Sequence, residues 1–223
     1  MKKLLIYIIP LLFTANAFAQ KDVEAKKILA PVSQKYRGYA TIKTDFTFTV
    51  DNKQANIKVT QNGTLITQPK SNKFKITLFN TGSTTQVDQE IIGDGKTQWT
   101  YNKDEKEVQI SNTVHGSDAF NPAELFTIYE KGYKYLYTGL EKRGGKLYQM
   151  IDLTAENTKT NFFKIRLSID KVKKQIYSAQ IFDKNGSQYT YTLKTFTPNP
   201  TLPANTFTYD TKSHPGVEVV DLR

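Results

Sequence analysis

The chain has 223 residues and contains no cysteine, with 31 lysines and arginines against 21 aspartates and glutamates. The lack of cysteine excludes a disulfide framework, a thiol nucleophile and lipid attachment at a cysteine, so a buried core must stabilise the fold. The formal net charge of +10 favours anionic partners, but only four residues are arginine, the residue that phosphate and base recognition favours. We therefore expect no nucleic-acid partner.

The first residues have the form of an export signal. Two lysines precede an apolar run at residues 4–13, and the small-residue sequence Ala-Phe-Ala follows at residues 17–19. An apolar run of about ten residues is too short to span a bilayer, which needs about twenty. We expect cleavage after Ala19, leaving a signal peptide at residues 1–19 and one mature domain at residues 20–223. An uncleaved membrane anchor is the alternative.

Apolar residues at helical spacing predict an N-terminal helix after this signal. Proline cannot donate a backbone hydrogen bond, so we expect a kink near Pro31. The packed side of the helix would carry residues that recur every three or four positions, namely Val23, Ile28, Leu29, Val32 and Tyr36.

Beyond this helix, apolar and polar residues alternate, and turn residues interrupt the alternation repeatedly. This pattern predicts a large antiparallel sheet. Gly63 would mark a bulge in it, and lysines at alternate positions are typical of a solvated face. Residues two apart share a face, which gives three apolar faces: Phe46, Phe48 and Val50; Ile57, Val59 and Leu65; and Phe74, Ile76 and Leu78.

The sequence Asp94-Gly95 predicts a tight hairpin turn with a positive φ at the glycine. The strand that follows presents Trp99, the only tryptophan of the chain, and Tyr101. Because these residues are two apart, their rings project to the same side and can together line an apolar surface.

A short helix is predicted from Pro122 to Lys131. Asn121 can cap it, Pro122 suits the first helical position, Glu124 can reach back to the cap, and Gly132 offers a left-handed end. About ten residues of helix would be marginal in isolation, so the apolar side must lie against the sheet. That side consists of Leu125, Phe126, Ile128 and Tyr129.

Further strands are predicted at residues 133–137, 147–153 and 163–169, followed by a hairpin that turns at Asn185-Gly186. A single sheet of about ten strands must curl or close to bury its apolar face. The predicted fold is therefore mainly β with a few short helices. Side chains could fill the enclosed space or leave it as a cavity, and the composition is compatible with both.

Two segments resemble the central motif of the LolA family of periplasmic lipoprotein carriers. They are Gly-Asp-Gly-Lys-Thr-Gln-Trp-Thr-Tyr-Asn at residues 93–102 and Glu-Val-Gln-Ile at residues 107–110. The Asn121-Pro122 helix start and the segment at residues 207–221 follow in the order that the family shows. The similarity covers essentially the whole mature chain.

The resemblance implies an unclosed antiparallel β-barrel whose helical lid covers an apolar cavity. It also implies a periplasmic monomer that carries lipoprotein acyl chains from the inner to the outer membrane, with no catalytic residue, cofactor or metal. The implied partners are these acyl chains, an inner-membrane lipoprotein-releasing transporter and an outer-membrane acceptor, with transient membrane contact.

One position departs from the family pattern. Many members carry an arginine before the proline that ends an early strand, where it holds the lid by hydrogen bonds, whereas this chain has Gln68-Pro69. Gln68 is the corresponding latch candidate, and it can form hydrogen bonds but lacks the charged fork of arginine. Lys70 is a weaker substitute.

The candidate acyl-chain site is a set of apolar residues on the predicted strands and the predicted lid. Each of them could equally belong to an ordinary core. If they line a cavity, binding of an acyl chain is expected to shift the emission of Trp99. The candidates are Phe46, Phe48, Ile57, Val59, Leu65, Phe74, Ile76, Leu78, Trp99, Tyr101, Leu125, Phe126 and Tyr129.

Enzyme functions are disfavoured by the side chains available. The two histidines, His115 and His214, and the lack of cysteine leave little for a metal site or a thiol nucleophile. Two other functions stay open. One is periplasmic binding or transport of another lipid or glycolipid, and the other is an integral outer-membrane β-barrel, whose strands also alternate.

Overall fold

The computed structural model describes residues 15–112, 121–130 and 132–223. The lysines and apolar run of the expected signal peptide lie outside these residues, as do His115 and Lys131. Cleavage after Ala19 would fall within the first helix, α1 (Ala15–Arg37), and stays a prediction. No helix in the described ranges combines the length and the apolarity needed to cross a membrane.

Helix α1 packs one side against the rest of the protein and continues through Pro31 as one helix. The predicted apolar spacing is confirmed from Ile28 to Tyr36, which are both buried. Val23 was expected on the same side but is exposed, and Ala25 is buried instead. At 3.6 residues per turn, Ala25 lies on nearly the same side of the helix as Ile28, whereas Val23 lies on a different side.

Strands make up most of the remaining described chain. Their bounds are β1 Ile42–Asn52, β2 Ile57–Gln68, β3 Lys73–Phe79, β4 Val87–Gly93, β5 Thr97–Asn102, β6 Glu107–Asn112, β7 Tyr133–Arg143, β8 Lys146–Ala155, β9 Phe162–Asp170, β10 Gln175–Asp183, β11 Gln188–Leu193, β12 Thr197–Pro198 and β13 Glu218–Asp221. All belong to one sheet with the order β13-β6-β5-β4-β3-β2-β1-β11-β10-β9-β8-β7, and β12 pairs with the start of β1.

The sheet is mainly antiparallel and does not close. Only the pairing of β13 with β6 is parallel among the described strands, and β7 and β13 form the two edges. One buried cluster contains side chains from β1–β3 and β8–β10, together with α1 and residues 123–129. Because strands far apart in the order share this cluster, the sheet curls around it. We call the face that carries the cluster the inner face, and the predicted mainly β, unclosed fold is confirmed.

The predicted hairpin at Asp94-Gly95 is confirmed, with a φ of 96° at Gly95. The Asp94 carboxylate accepts hydrogen bonds from the backbone amides of Lys96 and Thr97, each at 2.8 Å. Burial alone would raise the pKa of Asp94, but these two amide hydrogen bonds and the positive charges of Lys73 and Lys96 together lower the pKa below its ordinary value. The sequence therefore fixes this turn locally.

Gly63 does not mark a bulge, because the pairing of β2 with β1 and with β3 continues past it without a shift. It faces Phe46 across the β1–β2 ladder. A Cβ at residue 63 would lie 2.5 Å from Cζ of Phe46, so the missing side chain gives the ring its space. Gly93 has the same relation to Phe74, whose ring would lie 2.4 Å from an added Cβ.

The predicted helix from Pro122 to Lys131 is wrong as a continuous element. The structure has two separate 3-10 turns, Pro122–Glu124 and Ile128–Glu130, and four backbone hydrogen bonds between residues 121 and 130 each span three residues. A helix this short gains little from its own hydrogen bonds, so burial of its consecutive apolar residues decides the path. The predicted Asn121 cap is confirmed, since its side chain accepts from the amide of Ala123 at 2.9 Å.

The C-terminal segment lies on the other side of the sheet, the outer face. Tyr209 packs there with Ile92 and Val108, and its ring stacks on His214 at 4.6 Å between centroids. The chain then adds β13 to the edge of the sheet. The proline-rich bend at residues 198–203 thus leads into a terminal strand of the same sheet.

Candidate functional site

A cleft of about 640 Å³ opens on the inner face where β1, β10 and β11 meet their turns. This volume lies within the roughly 300–1,000 Å³ that is usual for small-molecule sites. Polar residues 161 and 183–185 form its edge. Its wall is apolar and mostly aromatic, made by Phe48, Phe162, Ile181, Tyr189 and Tyr191.

Strand register brings these aromatic side chains together. Phe48 pairs with Tyr191 across the β1–β11 ladder, and Tyr189 pairs with Ile181 across the β10–β11 ladder. Residues that pair directly lie on one face, and alternate residues of a strand share it. The ring of Phe48 therefore stacks with Tyr191 at 4.8 Å and with Tyr189 at 6.2 Å between centroids.

The cleft wall is uncharged, and the charges stand at its edge. Burial raises the pKa of the Tyr191 hydroxyl, so this phenol stays neutral at physiological pH. At the edge, the ammonium of Lys184 donates to the carbonyl of Thr158 at 2.9 Å. The Asp183 carboxylate accepts from the backbone amide of Asn185 at 2.9 Å. The site can thus hold an apolar group and offers a charged rim to a polar head.

The opposite end of the inner face is covered by α1 and residues 121–130, which we call the roof. Phe126 packs edge-on against Tyr36 with centroids 4.8 Å apart, and the Tyr135 hydroxyl donates to the carbonyl of Tyr129 at 2.6 Å. Among the described residues, the space between the roof and strands β2 and β3 is about 30 Å³. These residues fill most of the roofed end, whereas the cleft on the same face is open.

A polar contact ties the two parts of the roof together. Glu130 accepts hydrogen bonds from the hydroxyl of Ser33 at 2.6 Å and from Nε of Arg37 at 2.9 Å. The hydrogen bond to Glu130 also raises the pKa of Arg37. Sequence reasoning missed this contact, because Ser33 and Arg37 lie one helical turn apart but their partner is distant in the chain.

Gln68, the latch candidate from the sequence, does not bind the roof in the described part of the chain. Its amide nitrogen donates to the hydroxyl of Thr41 at 3.4 Å, and its amide oxygen accepts from Ser71 at 3.2 Å. The neighbouring Thr67 hydroxyl makes a long contact of 3.5 Å to the carbonyl of Ala123. Gln68 therefore secures the end of β2 and its turn, and Glu130 holds the roof.

Most of the predicted site residues meet on the inner face. Phe48 lines the cleft, and Leu78 packs half-buried against the inner cluster. Ile57 and Val59 lie at the open end and are 48% and 43% exposed. The others are buried in the inner cluster: Phe46, Leu65, Phe74, Ile76, Leu125, Phe126 and Tyr129.

Trp99 and Tyr101 lie apart from that group. Trp99 pairs with Ile92 of β4 and Ile110 of β6, and both predicted residues pack with the outer-face cluster around Tyr209. The period of two shows that the two rings share a face but does not show which face turns inward. They therefore lie outside the inner-face cleft for which the sequence suggested them.

Four residues of the cleft wall were not predicted from the sequence: Phe162, Ile181, Tyr189 and Tyr191. The signal for two of them was present, because Tyr189 and Tyr191 alternate directly after the Asn185-Gly186 turn. Their place opposite Phe48 follows from the β1–β11 pairing. That pairing joins segments about 140 residues apart, and no local pattern reveals it.

A second groove, of about 500 Å³, lies between the outer face and residues 200–214. Lys75 and Glu90 form a salt bridge of 2.8 Å on its floor, and Lys43 also lines it. Burying an apolar chain against these charged groups would desolvate them. The aromatic cleft of the inner face is the better candidate for an apolar ligand.

The sequence profile described as outer membrane lipoprotein carrier protein LolA matches residues 37–210. The chain belongs to the LolA family. It is similar to outer-membrane lipoprotein carrier proteins of two strains of Legionella pneumophila, Corby and Paris. Each is 24% identical over 216 residues, which cover 97% of this chain and 98% of the relative.

Solved structures share the fold of this chain. An uncharacterised conserved protein from Thermus thermophilus superposes with a TM-score of 0.54 and 14% identity, covering 89% of this chain and 99% of that one. A putative outer membrane lipoprotein-sorting protein domain from Vibrio parahaemolyticus gives 0.51 and 11%, covering 84% and 97%. At these identities the comparison supports the fold alone.

Proposed function

We propose that this LolA-family chain is a periplasmic carrier that shields lipoprotein acyl chains and moves them from the inner to the outer membrane. The observation that carries the proposal is the aromatic, uncharged cleft of about 640 Å³ on the inner face. The names of the curated relatives are consistent with it. The proposal needs no catalytic residue, cofactor or metal.

The physical reason for a carrier is the cost of exposing an acyl chain to water. At about 0.8 kcal/mol per methylene, a sixteen-carbon chain resists transfer into water by on the order of 12 kcal/mol. A cleft that shelters part of one chain removes much of this barrier. Release stays feasible because incomplete burial keeps the binding free energy below the practical limit of about 20 kcal/mol.

The roof is the part of the chain that would move to admit more of the cargo. It fills one end of the inner face, and the bonds of Ser33 and Arg37 to Glu130 hold it closed. The Tyr129 hydroxyl is buried there without a hydrogen-bond partner among the described residues. An unsatisfied buried hydroxyl destabilises the closed state by about 1–3 kcal/mol, which favours opening when cargo enters.

The remaining expectations belong to the same proposal. The signal peptide is cleaved after Ala19, and the mature chain is a periplasmic monomer. It receives cargo from an inner-membrane lipoprotein-releasing transporter, touches membranes transiently and delivers to an outer-membrane acceptor. The family match over residues 37–210 supports the carrier role and the periplasmic location.

Mass spectrometry of material that co-purifies with the chain from periplasm tests the proposal. Tyr189→Asp puts a charge into the cleft wall and should abolish co-purification of lipoproteins. Tyr177→Asp is the matched control, because Tyr177 is half-buried and packs on Tyr148 away from the cleft. Another lipid or glycolipid in place of lipoproteins would replace the proposed cargo, and equal cargo in both variants would reject the cleft.

A further inference from the structure

Three turns form a continuous rim around the mouth of the cleft: residues 53–56 between β1 and β2, residues 156–161 between β8 and β9, and residues 184–187 between β10 and β11. Asn52 donates to the hydroxyl of Ser187 at 2.9 Å, which joins the first turn to the third. The third turn contacts the second, because the amide and the ammonium of Lys184 both donate to it, at 2.8 and 2.9 Å.

Large apolar side chains stand exposed on this rim. Ile57 and Val59, at the start of β2, are 48% and 43% exposed, and Phe163, at the start of β9, is 52% exposed. Strands β1, β11 and β10 separate β2 from β9, so the two groups are four strand spacings apart, about 19 Å. They flank the mouth on both sides.

Lysines stand between these apolar side chains. Lys53, Lys58, Lys159 and Lys184 are all exposed on the rim. One carboxylate on the rim, that of Glu156, is also exposed, so the exposed lysines outnumber it four to one. Asp51 and Asp183, next to the rim, are half-exposed, and the carboxylate of Asp183 accepts a hydrogen bond from the backbone amide of Asn185. The rim therefore offers cations at its surface and apolar groups beside them.

We propose that this rim docks on the surface of an anionic lipid bilayer. Ile57, Val59 and Phe163 enter the headgroup layer, and the lysines pair with lipid phosphates. The inference rests on the proposed function in one respect, since docking places the mouth of the cleft against the acyl layer. A chain then passes between bilayer and cleft without crossing water.

A bilayer fits these features better than a protein partner does. A stable protein interface needs a packed contiguous patch of about 800 Å² on each side, whereas these apolar side chains form two small groups about 19 Å apart. A fluid interface accepts each side chain separately. A lysine close to an anionic membrane strengthens binding by about fivefold, so the exposed lysines of the rim add to the insertion.

Vesicle co-sedimentation tests the docking with the full chain. The vesicles contain phosphatidylglycerol and phosphatidylcholine in equal parts, and pure phosphatidylcholine vesicles serve as the neutral reference. The double variant Val59→Ser/Phe163→Ser should weaken binding to the anionic vesicles by about tenfold. The matched control is Leu140→Ser/Val172→Ser, because those residues are 51% and 88% exposed but lie away from the rim.

The proposal is supported if the wild type and the control variant bind the anionic vesicles, the rim variant loses this binding, and the wild type binds neutral vesicles more weakly. It is overturned if the wild type ignores anionic vesicles, or if rim and control variants bind alike. Binding of a fluorescent acyl probe without vesicles is measured on the same proteins. Probe binding without vesicle binding rejects the docking alone, and vesicle binding without probe binding rejects the carrier function alone.

Discussion

Replacing Gly63 with alanine tests the packing of the inner face that shapes the cleft. The added Cβ would lie 2.5 Å from Cζ of Phe46 and 2.9 Å from the carbonyl oxygen of Thr77. The Phe46 ring can tilt away, but the Thr77 carbonyl belongs to the neighbouring strand and cannot move without disturbing the ladder. Overpacking destabilises a protein by about 1–3 kcal/mol, and the backbone clash places Gly63→Ala near the upper value.

Chemical and thermal unfolding measure this loss. For a chain of this size each kcal/mol lowers Tm by about 2–4 °C, so a loss near 3 kcal/mol lowers Tm by about 6–12 °C. The clash is partly with the Phe46 ring, so Gly63→Ala should destabilise less in a Phe46→Leu background. A change below about 0.5 kcal/mol, or an equal loss in both backgrounds, would refute the assignment of Gly63 as the residue that makes room for that ring.

Three further outcomes follow from particular contacts. Because Trp99 lies on the outer face, binding of an acyl probe should leave its emission unchanged. A tryptophan introduced by Phe48→Trp lies in the cleft, so its emission should shift to the blue when the probe binds. The opposite pattern would place the probe on the outer face. Ser33→Ala removes a 2.6 Å hydrogen bond to Glu130 and should lower the free energy of unfolding by about 1–2 kcal/mol. The same variant should take up the acyl probe faster in stopped-flow fluorescence. Unchanged uptake would exclude this contact as a restraint on the roof. The pKa of Asp94 is lowered from 3.8 in the folded state, so the ionised carboxylate stabilises the fold fully above pH 3.8, and this stabilisation is lost as the pH falls below it. In urea unfolding, Asp94→Asn should lose less of its free energy of unfolding on acidification than the wild type does. An equal loss in both proteins would contradict the assignment.

Features set by local sequence could be predicted. The Asp94-Gly95 and Asn185-Gly186 turns, the alternating strands and the Asn121 cap all follow from a few neighbouring residues. Helix burial from Ile28 to Tyr36 is likewise read from a repeat within one segment. The resemblance to the LolA family came from the same kind of short, ordered landmarks.

Features set by distant pairing could not be predicted. Trp99 and Tyr101 were correctly placed on one strand face, but only the β4–β5–β6 ladder shows that this face is the outer one. The cleft wall depends on the pairing of β1 with β11. The predicted helix from Pro122 to Lys131 was wrong because burial of Leu125 and Phe126 against the sheet outweighed the weak local preference for an α-helix.

The most direct test of the carrier account is photo-crosslinking with a lipopeptide that bears a photoreactive group on its acyl chain. Mass spectrometry of the digested adduct then identifies the residues that the chain touches. The account predicts adducts on Phe48, Tyr189 and Tyr191, and their loss when unlabelled lipopeptide competes. Adducts concentrated on Tyr101 and Tyr209 of the outer face would contradict it.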